Sequence, residues 1–311
     1  MKKPNLNRFL RTLGTLAAFA LLIYVLSQQG WDEIWAGVQQ IPWWYFAVSL
    51  ALMGISRLAV AGRWHTLLRS AGLEVRWGQS LRITFAGLFA SNFLPTTIGG
   101  DVVRLAMALR LGLDKVISAA SLIVDRLVGM AGMISAAPLG AAPVLGGMAP
   151  LGAGPTPALG AVSLWGRASD WVRRAIRRLW EASALWVRSP RGLLLAFALT
   201  WVHQLAIFGV VWLMLVGQGQ GIAYWLAGGL WSLTYFVTLL PFSVNGLGLQ
   251  ELSMTWIYSH YGGVTLQSAA TAALLVRTIQ TLASLPGAVF LPDILAVKGN
   301  KVMSNEVMSN E

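Results

Sequence analysis

The sequence predicts an all-α protein that crosses a membrane several times and carries an inverted repeat with two broken, re-entrant helical hairpins. Three observations lead there. Long stretches carry almost no charge: none between Arg126 and Arg167, and only Glu251 between Arg191 and Arg277. Such runs belong in hydrocarbon. Two apolar segments are interrupted in the same way, by LPTTIGG at 94–100 and LPFSVNG at 240–246. Leu94, Pro95, Thr97, Ile98 and Gly100 are answered by Leu240, Pro241, Ser243, Val244 and Gly246. Each break is followed by an Ala-rich helix bearing an arginine, Arg126 and then Arg277, 31 and 36 residues beyond its proline. Two features recurring in order indicate a duplication.

Composition narrows the class. A chain with 56% hydrophobic and 11% charged residues lies outside the soluble norm. The absence of cysteine excludes disulfides, thiolate metal sites and a cysteine nucleophile. His65, His203 and His260 are far apart in sequence, so no metal or cofactor site is expected. The net charge of +11 sits in clusters between apolar spans. That distribution marks cytoplasmic loops, where anionic headgroups attract each Lys or Arg by about 1 kcal/mol, and not a nucleic-acid surface.

In chain order, Lys2, Lys3, Arg8 and Arg11 precede an apolar run at 13–26 with no cleavage site after it, read as an uncleaved first span with its N-terminus inside. Asp32 and Glu33 suit an outer loop, and Trp43, Trp44 and Tyr45 an interfacial belt before a second span at 46–61. Arg63, Arg69, Arg76 and Arg82 return the chain to the cytoplasmic side. An apolar helix at 80–93 breaks at 95–100 and restarts at Asp101. Proline removes a helical hydrogen bond, and backbone freed at membrane depth survives only inside protein or beside water. A span at 116–137 follows, then an Ala/Gly/Pro-rich segment at 138–160 that must cross back before the basic stretch at 167–188. That stretch reads as an interfacial helix. A span at 193–216, a second broken segment from 224 onward and a span after Gly263 complete the set. Loop charges balance only if the two hairpins enter from opposite faces. The resulting division is one transmembrane domain at 1–297, with repeat halves at about 43–137 and 192–292, and a polar tail at 298–311.

Each break offers an anion site, because a restarting helix exposes amides and the positive end of its dipole. Thr96, Thr97, Ser243 and Asn245 add donors beside Gly99, Gly100 and Gly246. Arg126 and Arg277 fall roughly 15 and 20 Å inside their helices at about 1.5 Å per residue. A central charge is expensive in a bilayer, so each must face a polar interior. The competing reading makes Asp125, Asp101 and Glu251 plain neutralisers of Arg104, Arg126 and Arg277. Arg57 is expected to snorkel to the cytoplasmic interface and His203 to be a satisfied packing residue. No Ser-His-Asp, metal-ligand, Walker or dinucleotide spacing is present, which argues against an enzyme.

Arg63-Trp64, NFLPTTIGGDVVR from Asn92 to Arg104, Asp125-Arg126 and PFSVNGLGLQE ending at Glu251 resemble the lysylphosphatidylglycerol synthase transmembrane-domain family, which is flippase-like. The resemblance covers about 13–295. It implies a polytopic domain that moves or presents phospholipids or polyprenyl-linked lipids, without the synthase domain of fused members. Candidate lipid-binding residues are then Asn92, Thr96, Thr97, Gly99, Gly100, Asp101, Arg104, Asp125, Arg126, Ser243, Asn245, Gly246, Glu251 and Arg277. The expected function is a translocase or lipid-binding transporter for an anionic lipid in a bacterial or archaeal cytoplasmic membrane, uncoupled from nucleotide hydrolysis. The alternatives are a non-transporting accessory subunit of a lipid or glycan assembly enzyme and a membrane-embedded transferase. Expected partners are membrane lipids, with a second copy or a lipid-assembly enzyme as candidate protein partners, and no nucleic acid.

Overall fold

The computed structural model describes residues 37–92, 99–140, 185–186, 189–239 and 247–290. Among these the regular structure is helical throughout. The helices are α1 (Trp43–Ser70), α2 (Trp77–Ser91), α3 (Gly99–Arg110), α4 (Lys115–Ala136), α5 (Pro190–Val216), α6 (Tyr224–Thr238), α7 (Leu249–Tyr261) and α8 (Leu266–Leu282), with a 3₁₀ turn at Leu285–Phe290. The first span at 13–26, most of the segment at 138–160, most of the basic stretch at 167–188 and the tail lie outside the described residues.

Four stretches are long and apolar enough to cross a membrane: Trp43–Ser70, Lys115–Gly140, Pro190–Val216 and Leu266–Phe290. The protein is a multi-pass membrane protein. α2, α3, α6 and α7 have 15, 12, 15 and 13 residues. At about 1.5 Å per residue none of them spans a hydrocarbon core of about 30 Å alone. The order long, short, short, long therefore occurs twice, with a sequence break inside each short pair.

Local chemistry explains the boundaries. α1 stops in a Schellman arrangement: Gly72 at φ +83 lets its amide reach the Arg69 carbonyl and the Leu73 amide the Leu68 carbonyl. α4 starts where the Asp114 carboxylate accepts from the amides of Val116 and Ile117 at 2.9 and 2.8 Å. The Thr265 hydroxyl caps α8 by accepting from Ser268. α5 opens on Pro190, whose missing amide costs nothing in a first turn.

The most extensive helix pair is α1 with α5. Small residues make the close approach feasible, including Ser49, Ser56, Ala59 and Ala61 on α1 and Ala196, Thr200 and Ala206 on α5, all buried. Without a hydrophobic drive between helices in lipid, such close packing supplies the attraction. The largest buried cluster joins α5, α6, α7 and α8 through Phe208, Met214, Leu230, Met254, Tyr258 and Val276. A second one, Trp64, Leu68, Ile83, Ala108 and Leu122, holds α1 to α2, α3 and α4. Leu50, Ile55, Leu58, Ile134, Leu194, Leu195 and Val202 point outward, as residues facing lipid tails do.

A central arginine-lined cavity as candidate functional site

Between the two sets of helices lies a cavity of about 260 Å³. Arg57 of α1, Arg126 of α4 and Arg277 of α8 all line it, with Asn92, His203, Tyr235, Gln250 and Gln280 among the other groups. The two arginines singled out in sequence thus border one space. Arg57 differs from expectation. Instead of snorkelling to the interface it lies near the middle of α1, donates from one terminal nitrogen to the Gln280 carbonyl at 3.4 Å, and buries an Nε with no partner. His203 is satisfied within the packing, its Nδ1 2.7 Å from the Ser56 hydroxyl, and it also lines the cavity. At the cavity edge the Asn92 amide donates to the Ser284 hydroxyl at 2.7 Å, tying the end of α2 to the segment after α8.

Beside the cavity runs a charge network. Asp125, 2% exposed, accepts from Arg63 Nε at 2.7 Å on one oxygen and from Arg104 at 3.1 Å on the other. Arg104 also reaches Asp101 at 3.2 Å, and Asp101 pairs with Arg126 through its second oxygen. The Arg104 guanidinium sits 4.5 Å above the Trp64 ring, a cation–π contact. The Trp64 indole is fixed in turn by donation to Ser121 Oγ at 3.0 Å. Arg63 donates further to Thr200 Oγ1 of α5 at 3.3 Å. The network therefore joins α1, α3, α4 and α5, and Arg63 is a neighbour of the candidate site that periodicity alone did not identify.

The second set of helices has its own pair. Arg277 contacts Glu251 at 3.1 Å and Gln250 at 3.4 Å. The positions recur. Arg126 and Arg277 are each the twelfth residue of their helices, and Asp101 and Glu251 are each the third of theirs. A carboxylate in the first turn is favoured by the helix dipole, so it is stable there even at depth. The difference between the two proline-to-arginine intervals resolves accordingly. The stretch from Pro241 to Glu251 is four residues longer than that from Pro95 to Asp101, and Glu251 to Arg277 is one residue longer than Asp101 to Arg126.

Of the remaining sequence candidates, Gly99 and Gly100 begin α3. A Cβ on Gly100 would lie 2.6 Å from the Gly87 carbonyl oxygen, so this glycine lets α2 and α3 touch backbone to backbone. Gly100 also borders a smaller cavity of about 120 Å³ with Asp101, Arg104 and Arg126. Thr96, Thr97, Ser243, Asn245 and Gly246 lie outside the described residues. Within the bundle, Arg57, Arg63, Arg104, Arg126 and Arg277 face three carboxylates, Asp101, Asp125 and Glu251. Among the described residues the interior carries a surplus of two positive charges. In a low-dielectric interior that surplus favours an anion.

Comparison with known proteins agrees with this architecture. The family model described as the lysylphosphatidylglycerol synthase TM region matches residues 11–287. A UPF0104 membrane protein of Archaeoglobus fulgidus is 22% identical over 284 residues, covering 80% of this chain and 86% of the relative. Because the family match spans both sets of helices, the breaks between them and the arginines of the cavity, the chain belongs to the lysylphosphatidylglycerol synthase transmembrane-region family.

Proposed function

We propose that the protein is a lipid translocase or lipid-binding transporter that holds an anionic phospholipid or polyprenyl-linked headgroup in the central cavity. The observation that carries this reading is that arginines from α1, α4 and α8 line one cavity within a membrane-spanning bundle. An anion there meets guanidinium groups in a low-dielectric setting, where charge-assisted hydrogen bonds are strong. Arg126 and Arg277 neutralise the phosphate, and Asn92 contributes an amide. Asp101, Asp125 and Glu251 hold the cationic side chains in place, and Arg104 braces Asp101 and Asp125. Thr96, Thr97, Gly99, Gly100, Ser243, Asn245 and Gly246 are further ligands on the argument that restarting helices favour anions.

The two sets of four helices are inverted repeats in this reading, with the hairpin α2–α3 entering from the cytoplasmic face and α6–α7 from the outer face of a cytoplasmic membrane. The recurring third-position carboxylate and twelfth-position arginine support it. The headgroup crosses between the hairpins while the tails stay on the lipid-facing side of the bundle.

Mass spectrometry of lipid retained through purification tests the function. The expected result is enrichment of one anionic or polyprenyl-linked lipid, lost in Arg126→Gln with the fold intact. A stoichiometric protein partner with no enriched lipid would instead favour an accessory subunit.

A further inference from the structure

A second, larger hollow lies against the arginine-lined cavity. It measures about 520 Å³ and is walled by α6, α7 and α8 through Val237, Leu249, Leu252, Trp256, Ile257 and Leu266. Its lining is almost wholly apolar, with Ser253 and Thr255 as the polar side chains. Trp256 and Leu266 are about half exposed, so the hollow is a groove open toward the lipid phase.

The two spaces share walls. Val237 lines the groove, and the next residues, Thr238 and Leu239, line the cavity. Leu249 lines the groove, and Gln250 lines the cavity. The groove also has a direction. α7 and α8 are joined by a short turn and pair at the opposite end through Glu251 and Arg277, so they run antiparallel. From Arg277 at the cavity to Leu266 at the far end of the groove is eleven residues. At about 1.5 Å per residue that is roughly 16 Å, about half of a 30 Å hydrocarbon core and hence the reach of a tail in one leaflet.

A polar pocket adjoined at the ends of α6 and α7 by an apolar slot, the two together reaching about one leaflet's depth, has the shape of an amphiphile. We propose that the α6–α7–α8 groove binds a hydrocarbon tail of the same lipid whose anionic headgroup occupies the arginine-lined cavity. This rests on the lipid reading above and narrows it: the substrate is bound as a whole lipid, and a free phosphate or soluble organophosphate uses only half of the site. With the hairpin α6–α7 opening outward, the bound tail points toward the outer face. A lipid held this way keeps the sense it has in the inner leaflet and is accepted from the cytoplasmic side.

Calorimetric titration of the purified protein with long-chain phosphatidylglycerol and, separately, with glycerol 3-phosphate tests the groove. Ser253→Phe fills it. Ser253 donates only to the Leu249 carbonyl of its own helix, so little else is lost. The expected result is phosphatidylglycerol binding weakened by about tenfold, the weight of roughly two buried methylenes, with glycerol 3-phosphate binding unchanged. Unchanged glycerol 3-phosphate binding also certifies the fold. Ser253→Leu, with a smaller side chain, is held to the same pattern if the ring does not fit. Ala47→Phe, which fills a smaller apolar groove of about 210 Å³ between α1 and α8, serves as control and leaves both ligands unaffected. Wild-type affinity for phosphatidylglycerol in both Ser253 variants would overturn the groove while leaving the headgroup site standing. Equal loss from Ala47→Phe would also overturn it, since any lipid-facing groove would then count. Failure of the wild type to bind either ligand would remove the anionic-lipid reading itself.

Discussion

Arg63 and Asp125 form a 2.7 Å ion pair that ties α1 to α4 where the side chains are only 10% and 3% exposed. Asp125 serves Arg104 as well, so its loss strands two buried guanidinium groups at once. Asp125→Asn is expected to destabilise the protein by about 3–5 kcal/mol, the cost of breaking a buried pair from one side. Thermal unfolding in detergent measures it, and a melting temperature close to wild type would contradict the structural role assigned to Asp125.

The two cavity arginines of α4 and α8 should part company in stability. Asp101 retains Arg104 when Arg126 is removed, and the Arg126 side chain is 37% exposed. Arg126→Gln should therefore cost about 1 kcal/mol or less. Arg277→Gln leaves Glu251, 3% exposed, without an ionic partner and should cost several times more, about 3 kcal/mol. Both substitutions should lower retained anionic lipid to a similar degree. Melting curves and lipid mass spectrometry on the same samples separate the two effects.

Arg57 makes the opposite prediction. Among the described residues it has no carboxylate partner, and its recorded hydrogen bond is one long contact to a backbone carbonyl. Removing an uncompensated cation from the interior relieves a desolvation cost, so Arg57→Gln should melt at or above the wild-type temperature. On the lipid reading proposed above, retained anionic lipid should fall, because the cation lines the cavity. A variant that lost stability and kept its lipid would show that Arg57 is structural.

Gly100 tests whether the paired glycines serve packing or only ligand access. Gly100→Ala sets a methyl carbon 2.6 Å from the Gly87 carbonyl and 3.1 Å from Ser91 Cβ. Because the nearest obstacle is backbone, α2 and α3 must separate, at an expected cost of about 1–3 kcal/mol. Hydrogen exchange should rise in both helices. Unaltered exchange in α2 would show that the contact is dispensable.

The proposed topology is open to a direct check, since the chain has no native cysteine to remove. Cysteines introduced at Lys115 and Gly262 should react with an impermeant reagent from opposite faces. Labelling of both from the same face would discard the inverted arrangement.

What could be read in advance followed from local chemistry. A proline followed within a few residues by glycine inside an apolar run announces a break, and an arginine such as Arg126 stands out against its neighbours. The end of α1 was not legible in that way. Hydropathy stops the second span near Ala61, whereas α1 continues to Ser70 because Arg63 finds Asp125 and Trp64 finds Ser121 inside the bundle. Arg57 was misjudged for the same reason, and the partner that satisfies His203 could not be named in advance. Ser56 and His203 are 147 residues apart, and only the packing of α1 along α5 brings them together. The alignment of the two breaks set Gly246 opposite Gly100, whereas the helix starts at Gly99 and Leu249 put Gln250 at the position of Gly100. Gly248, at φ +77, delays the second restart so that Leu249 begins α7.

That delay has an evolutionary consequence. The four additional residues between Pro241 and Glu251 are absorbed before the helix begins, and the acidic residue still arrives third in α7 to meet Arg277. Insertion or deletion ahead of the restart is thus invisible to the ion pair, while a single residue added within α7 would turn the carboxylate by about 100° away from it. Selection can rewrite the sequence of each break, and with it whatever those residues recognise, without disturbing the clamp behind it. Freedom to vary and the constraint of the ion pair fall on opposite sides of one helix start.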